Sequence, residues 1–344
     1  MTSDTAVVGG YCVLQAESRP PARREGTAMD TWDALRAVEA AQLHHLEGLS
    51  LTRIAEQMGI SRFRVRRLVE AAREEGWLRI TVDPPPGIDP GLTRELSALV
   101  APFGVRRVLV TPDAGGRPAL ERATADAVER AAGDGDVLGL ACGTTVNRVV
   151  SAIHRLPACE VVQLTGLTAP GKVTDSSVET VRRAARLAGH EVRPVYEAMV
   201  QPSPAVAADR RGHPSLRRAF AAWDRLSLAL ITIGSWEAGE SNLFDSPTLE
   251  EHLRRRATRE GVVAEFCGHL LAADGSPVMQ EITAHCLTVP LSRLLGARER
   301  VVVIARPERS RALAAALRTG MVDTLVIIEG AARRLLEGEA DVDP

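Results

Sequence analysis

The sequence predicts an N-terminal helical, winged helix-turn-helix head followed by a doubly wound, mostly parallel α/β domain. Three observations carry this. Apolar residues recur with helical period from Leu51, break at Gly59 and resume behind Ser61. Asp83-Pro84-Pro85-Pro86-Gly87 interrupts the chain with residues that cannot continue a strand and that hold a linker extended. From Ile88 onward, short continuous apolar runs alternate with helical segments, the pattern of a parallel sheet covered on both faces. The expected boundaries are a disordered tail at 1–29, the head at 30–82, the linker at 83–90, the α/β domain at 91–338 and a tail at 339–344.

The head opens with a helix from Asp30 to Glu47, capped by Asp30, Thr31 or Asp33, with Leu35, Val38, Leu43 and Leu46 as its apolar stripe. Leu51, Ile54, Ala55 and Met58 form one face of the next helix. Gly59 ends it, because glycine takes the left-handed conformation without penalty, and Ser61 is the natural N-cap of the third helix. That helix turns Val65, Leu68, Val69 and Ala72 inward and leaves Arg62, Arg64, Arg66, Arg67 and Arg73 facing out. Alternation over Trp77–Val82 reads as the wing strand.

In the larger domain the expected order begins with helix 92–101, strand 105–111, helix 120–132 and strand 137–141. A helix through His154, strand 160–165, helix 177–188 and a further strand at Val192–Tyr196 follow. Then come helix 216–223, strand 227–233, helix 249–260 and a hairpin over 262–278 on the Asp274-Gly275 turn. Strand 301–305, helix 310–319, strand 324–328 and helix 330–338 close the chain.

Composition narrows the function. A formal charge of -2 over 344 residues excludes a protein coated in positive charge, so any polyanion surface is local. It is local at Ser61–Arg73, with five arginines against the single acid Glu70. Five scattered cysteines form no C-x-x-C pair, which fits buried thiols and gives no zinc spacing. There is no run of about 18 apolar residues and no signal-peptide pattern, so no membrane partner and a cytoplasmic location are expected.

In open α/β sheets, ligands sit beyond the carboxyl ends of the strands, and three turns there stand out. Gly143-Thr144-Thr145 joins a strand to a helix N-terminus and can cradle an anion. The loop after Thr165 carries Lys172, the only lysine of the chain. Gly234–Ser241 is a long polar loop behind a wholly apolar strand, a placement that favours function. No G-x-S-x-G, H-E-x-x-H, Walker A or G-x-G-x-x-G motif is present, and no cofactor is expected. Glu265 and Asp175 are the only acids placed to serve as a general base.

Taken in order, LSLTRIAEQMGISRFRVRRLVEAAREEGWLRI, LGLACGTTVNRVVSAI, EVVQLTG, LALITIGSWEAGES, GVVAEFCGHLLAADGSPV and ALRTGMVDTLVI resemble the sorbitol-operon regulator (SorC) family of bacterial sugar-responsive transcription factors, also grouped with the deoxyribonucleoside regulators. The resemblance implies an effector domain similar to sugar-phosphate isomerases, dimers or tetramers, and operator binding controlled by a phosphorylated sugar or related metabolite. It places Gly143, Thr144, Thr145, Gln163, Gly234, Ser235 and Glu265 at the effector. Where the family has A-G-G-x-x-K, this chain reads Ala305-Arg306-Pro307-Glu308-Arg309-Ser310; the lysine is gone, and Arg306 or Arg309 is left to supply charge beside Lys172.

The partner expected for the head is double-stranded operator DNA. Ser61, Arg62, Phe63 and Arg64, on the first turn of the recognition helix, are expected at base edges. Arg66, Arg67 and Arg79 are expected at phosphates. Two alternatives are kept: an isomerase-like enzyme, and a redox-responsive regulator acting through Cys142, whose position at a helix N-terminus would lower its pKa.

Overall fold

The computed structural model describes residues 29–81, 85, 87–168, 177–190, 192 and 194–338. The expected tails apart from Met29, most of the proline linker and the loop holding Lys172 and Asp175 lie outside the described residues. The chain divides into two compact units between Pro84 and Pro85.

The first unit is three helices, α1 (Thr31–His45), α2 (Leu51–Met58) and α3 (Arg62–Glu74). Asp30 caps α1 by accepting from the N–H groups of Trp32 and Asp33 at 2.8 and 2.9 Å. Ser50 and Ser61 cap α2 and α3 in the same way, and Gly59 ends α2 at φ 65°. The core is Ala37, Ala40, Ala41 and Leu43 against Ile54, Val65, Leu68 and Ala72. The inward face of α1 therefore differs from the expected stripe: Leu35 and Leu46 are exposed, and alanines take their place. Small side chains let α1 approach α3 closely, and the rotation follows from that contact.

The wing strand expected at Trp77–Val82 is not formed in the described part, residues 77–81, which carry no strand pairing. A lone strand has no ladder partner, and the described head offers none; Leu78 instead donates its N–H to Ala72 O at 2.9 Å and packs on the helical core.

The first helix of the second unit is α4 (Pro90–Val100), capped by Asp89, whose N–H donates to Val110 O. The order continues β1 (Arg107–Thr111), α5 (Gly116–Ala131), β2 (Val137–Leu140), α6 (Thr144–Ala152), β3 (Glu160–Gln163), α7 (Ser177–Ala188), α8 (Pro204–Gly212), α9 (Pro214–Ala221), β4 (Leu228–Thr232) and β5 (Gly234–Ser235). Then follow α10 (Glu251–Arg259), β6 (Val262–Phe266), β7 (His269–Ala272), β8 (Pro277–Val278), α11 (Gln280–Ala284), α12 (Leu291–Leu295), β9 (Glu299–Ile304), α13 (Ser310–Arg318), β10 (Thr324–Ile328) and α14 (Glu329–Leu336).

Six strands make one wholly parallel sheet in the order β1-β10-β9-β4-β2-β3. Its strands are nearly continuously buried, as a sheet covered on both faces requires. Chain order reverses between β2 and β4, which makes the gap beyond their carboxyl ends the topological switch point. A second, antiparallel sheet, β5-β6-β7-β8, stands beside it. The expected hairpin is thus three short strands. Besides the Gly275 turn there is a tighter one at Cys267-Gly268, both at positive φ (48° and 78°), the geometry of a two-residue hairpin turn. The strand expected at Val192–Tyr196 is absent among the described residues, because the single-residue pairing of this region falls later, at Ala198 and Val200. At the amino ends of β9 and β10, Asp323 pairs with Arg300 at 2.6 Å and Arg106 at 3.0 Å, and accepts from Arg300 N–H at 2.8 Å.

Candidate effector cleft and recognition helix

Five of the six parallel strands deliver their following loops to one cavity of about 220 Å³. This is below the roughly 300–1,000 Å³ of drug-sized ligand sites, so the cavity suits a ligand of monosaccharide size. Arg117 comes from the segment after β1, Cys142–Thr145 from the β2–α6 turn, and Thr165 and Thr168 from beyond β3. The loop after β4 contributes Gly234 and Gly239–Asn242 with Asp245, and the segment after β9 contributes Ala305, Arg306 and Arg309. Glu265 and Cys267 enter from the second sheet.

Local sequence explains each placement. Gly143, at φ 133°, turns the chain from β2 into α6. No side chain caps that helix, so its first N–H groups are left toward the cavity. Gly234 sits where a Cβ would lie 2.4 Å from Glu240 O, so only glycine lets the returning loop close. The positive-φ turn at Cys267-Gly268 points Gly268 N–H back at Glu265 Oε1, 2.8 Å away, while Ser241 Oγ donates to Glu265 Oε2 at 2.9 Å. Burial raises the Glu265 carboxyl above its ordinary range, against those hydrogen bonds and the nearby Arg309.

Arg306 and Arg309 close the cleft from the side of α13, and Glu240 lies between them. Arg306 donates to Glu240 Oε1 and Arg309 Nε to Oε2 at 2.9 Å; Arg309 also reaches Thr232 Oγ1 and Glu240 O. Burial pushes the Glu240 carboxyl upward, but the two guanidinium groups outweigh it and hold it below the usual range. Asp245 accepts from Gly239 N–H at 3.1 and 3.0 Å.

Of the residues expected at an effector, Gly143, Thr144, Thr145, Gly234, Glu265, Arg306 and Arg309 line the cleft. Gln163 does not: it is buried behind it, with its amide bonded to Ser177 Oγ and Val195 N–H, and it serves to tie β3 to its flanking segments. Ser235 likewise lies behind the lining, donating to Glu308 O. Lys172 is outside the described residues. Lining residues not singled out from the sequence include Arg117, Glu240, Ser241, Asn242, Asp245 and Cys267; of these, Glu240 and Ser241 lay in a loop already marked. Cys142 lines the cleft, but its thiol is raised, not lowered: burial outweighs its hydrogen bonds, among them the 2.8 Å contact with Thr165 Oγ1. This direction is opposite to the lowered thiol pKa that the redox alternative expected.

In the head, Phe63 is 84% exposed, and Arg62, Arg66, Arg67 and Arg79 are exposed with it. Arg64 is held by Asp33 of α1 at 3.3 Å and Arg66 by Glu70 at 2.9 Å; Arg62, Arg67 and Arg73 have no ion pair among the described residues. The Ser61 hydroxyl is engaged as the cap of α3, accepting from Arg64 N–H at 3.2 Å. Among the described residues, no cluster of three or more His, Cys, Asp or Glu is arranged to hold a metal ion, and no helix is long and apolar enough to cross a membrane.

Residues 92–337 match the family model described as "Putative sugar-binding domain". The deoxyribonucleoside regulator of Bacillus subtilis (strain 168) is 27% identical over 321 residues, covering 90% of this chain and 99% of that protein. The erythritol catabolism regulatory protein EryD of Brucella abortus (strain 2308) is 27% identical over 320 residues, with 89% and 98% covered. The crystal structure of the full-length sorbitol operon regulator SorC from Klebsiella pneumoniae superposes with a TM-score of 0.66 at 20% identity, covering 89% of this chain and all of that one. The same succession of parallel strands and helices that builds the cleft is thus the succession the family model matches, and this chain belongs to the "Putative sugar-binding domain" family.

Proposed function

We propose that the chain is a transcriptional regulator whose hold on operator DNA is set by a carbohydrate metabolite bound in the cleft. The observation that carries the reading is the pairing, in one chain, of a helix-turn-helix unit with arginines facing out and a family sugar-binding domain whose cleft opens at the switch point. Relatives matched over nearly their whole length bear regulator names, which supports the DNA partner. Arg62 and Phe63 reach base edges, with Arg64 aimed by Asp33, while Arg67 and Arg79 meet phosphates. One head buries too little surface for tight specific binding, so two or four copies act on repeated half-sites from the cytoplasm. A regulator, not an isomerase, is the better reading of Glu265, whose carboxyl oxygens are engaged by Ser241 Oγ and Gly268 N–H.

Fluorescence anisotropy with the DNA upstream of its own reading frame tests this. The full chain forms a salt-sensitive, sequence-specific complex. Arg62→Ala costs about 1–3 kcal/mol on the preferred site, and Arg67→Ala weakens all sequences alike and lowers the salt slope. Binding that is absent, or equal on all DNA and untouched by Arg62→Ala, refutes the reading.

A further inference from the structure

We propose that the effector of this cleft is an uncharged polyhydroxylated carbohydrate, a free sugar or polyol, and not its phosphate ester. The inference rests on the carbohydrate reading above and narrows it. Its basis is the carboxylate of Glu240, wedged between the two arginines that would otherwise neutralise a phosphate held at the Gly143–Thr145 turn of the same cavity. Arg309 is almost fully enclosed and has every guanidinium nitrogen engaged within the protein: Nε on the Glu240 carboxylate, one terminal nitrogen on Thr232 and the other on Glu240 O. Arg306 is bound to the second oxygen of the same carboxylate.

Among the described residues around the cavity, the three cations Arg117, Arg306 and Arg309 face the three acids Glu240, Asp245 and Glu265. A phosphate monoester carries a charge of about -1.5 to -2 at neutral pH. Seated against Arg306 and Arg309, it either meets the Glu240 carboxylate at ion-pair distance or expels it from two partners, and both outcomes cost Coulomb energy in a half-enclosed site. A vicinal diol meets no such opposition. Each hydroxyl both donates and accepts, and the carboxylate–guanidinium wall offers an acceptor beside a donor. The unshared lone pairs of Glu240 and the amide of Asn242 extend that pattern around the cavity. Ser310 adds no charge where a lysine would; it donates to Pro307 O inside the fold.

The test uses the full-length protein at constant ionic strength. Thermal shift and anisotropy on operator DNA are measured with matched pairs, each free aldose, ketose or polyol beside its own phosphate ester, and with inorganic phosphate against chloride. One free compound stabilises the protein and alters operator binding, its ester binds at least about ten-fold more weakly, a difference of about 1.4 kcal/mol, and inorganic phosphate matches chloride. Glu240→Gln releases both guanidinium groups and gains stabilisation by inorganic phosphate that the parent lacks. An ester that binds as tightly as its free partner, phosphate stabilisation of the parent, or no phosphate gain in a folded E240Q each overturns the inference. If E240Q does not fold, the comparison of pairs on the parent decides. If no carbohydrate of either kind acts, the regulatory reading fails, while the inorganic phosphate arm still passes or fails the charge argument.

Discussion

Adding one methyl group at Gly234 isolates the contact that shapes the cleft. The Cβ of an alanine there would lie 2.4 Å from Glu240 O, 3.3 Å from Glu240 C and 3.3 Å from Ser241 Cα. All three atoms belong to backbone, so no side chain can swing aside. Reaching even 3.0 Å, the shortest separation real Cβ atoms show, moves the loop by about 0.6 Å. The moving residues are Glu240, clamped by Arg306 and Arg309, and Ser241, the donor to Glu265. Overpacking of this kind costs about 1–3 kcal/mol, so Gly234→Ala lowers the urea midpoint and weakens the effector response more than the fold. Gly212 is the control: it ends α8, and a Cβ there meets nothing within 4 Å, so Gly212→Ala is neutral or gains about 0.4–1 kcal/mol from the unfolded chain. Urea titration and the effector-induced thermal shift are measured on parent and both variants. A G234A protein within about 0.5 kcal/mol of the parent, with its effector response intact, refutes the claim that glycine is required for the loop to close.

Two further outcomes follow from buried charge. Asp323→Ala strips Arg300 of its carboxylate in a site where both side chains are about nine-tenths enclosed, and urea unfolding shows a loss of about 3–5 kcal/mol; a loss under about 1 kcal/mol would mean the pair behaves as a surface bridge. Because burial raises Glu265 above 4.5, the folded state retains its proton to higher pH than the unfolded state. The group's effect on stability is then absent below the unfolded value, grows unfavourable as pH rises through the window up to the folded value, and is constant beyond it. Thermal melts from pH 4.5 upward therefore find the parent losing ground to Glu265→Gln as pH rises, and a difference that does not vary with pH refutes the assignment.

The sequence by itself determined the parts that rest on periodicity and local chemistry. The turn at Gly59, the cap at Ser61, the outward arginines and the alternation of strands with helices are all set within a few residues, and the parallel sheet follows from strands buried on both faces. The turns at Gly143 and Gly234 were legible because glycine beside polar residues at a strand end has few structural excuses. Tertiary structure decided the rest. Helical period marks an apolar stripe on α1 but does not say which face α3 will take, and the alanine face prevailed where close approach was possible. Residues 77–81 have strand alternation but, among the described residues, no neighbour to pair with, and pairing is a property of two segments. Gln163 lies in the same strand–turn context as the lining residues, yet Ser177 and Val195 claim its amide. The outward arginines of α3 are thus legible from sequence alone. The charge of the cleft depends on Glu240 lying between Arg306 and Arg309, a contact spanning more than sixty positions that no local pattern encodes.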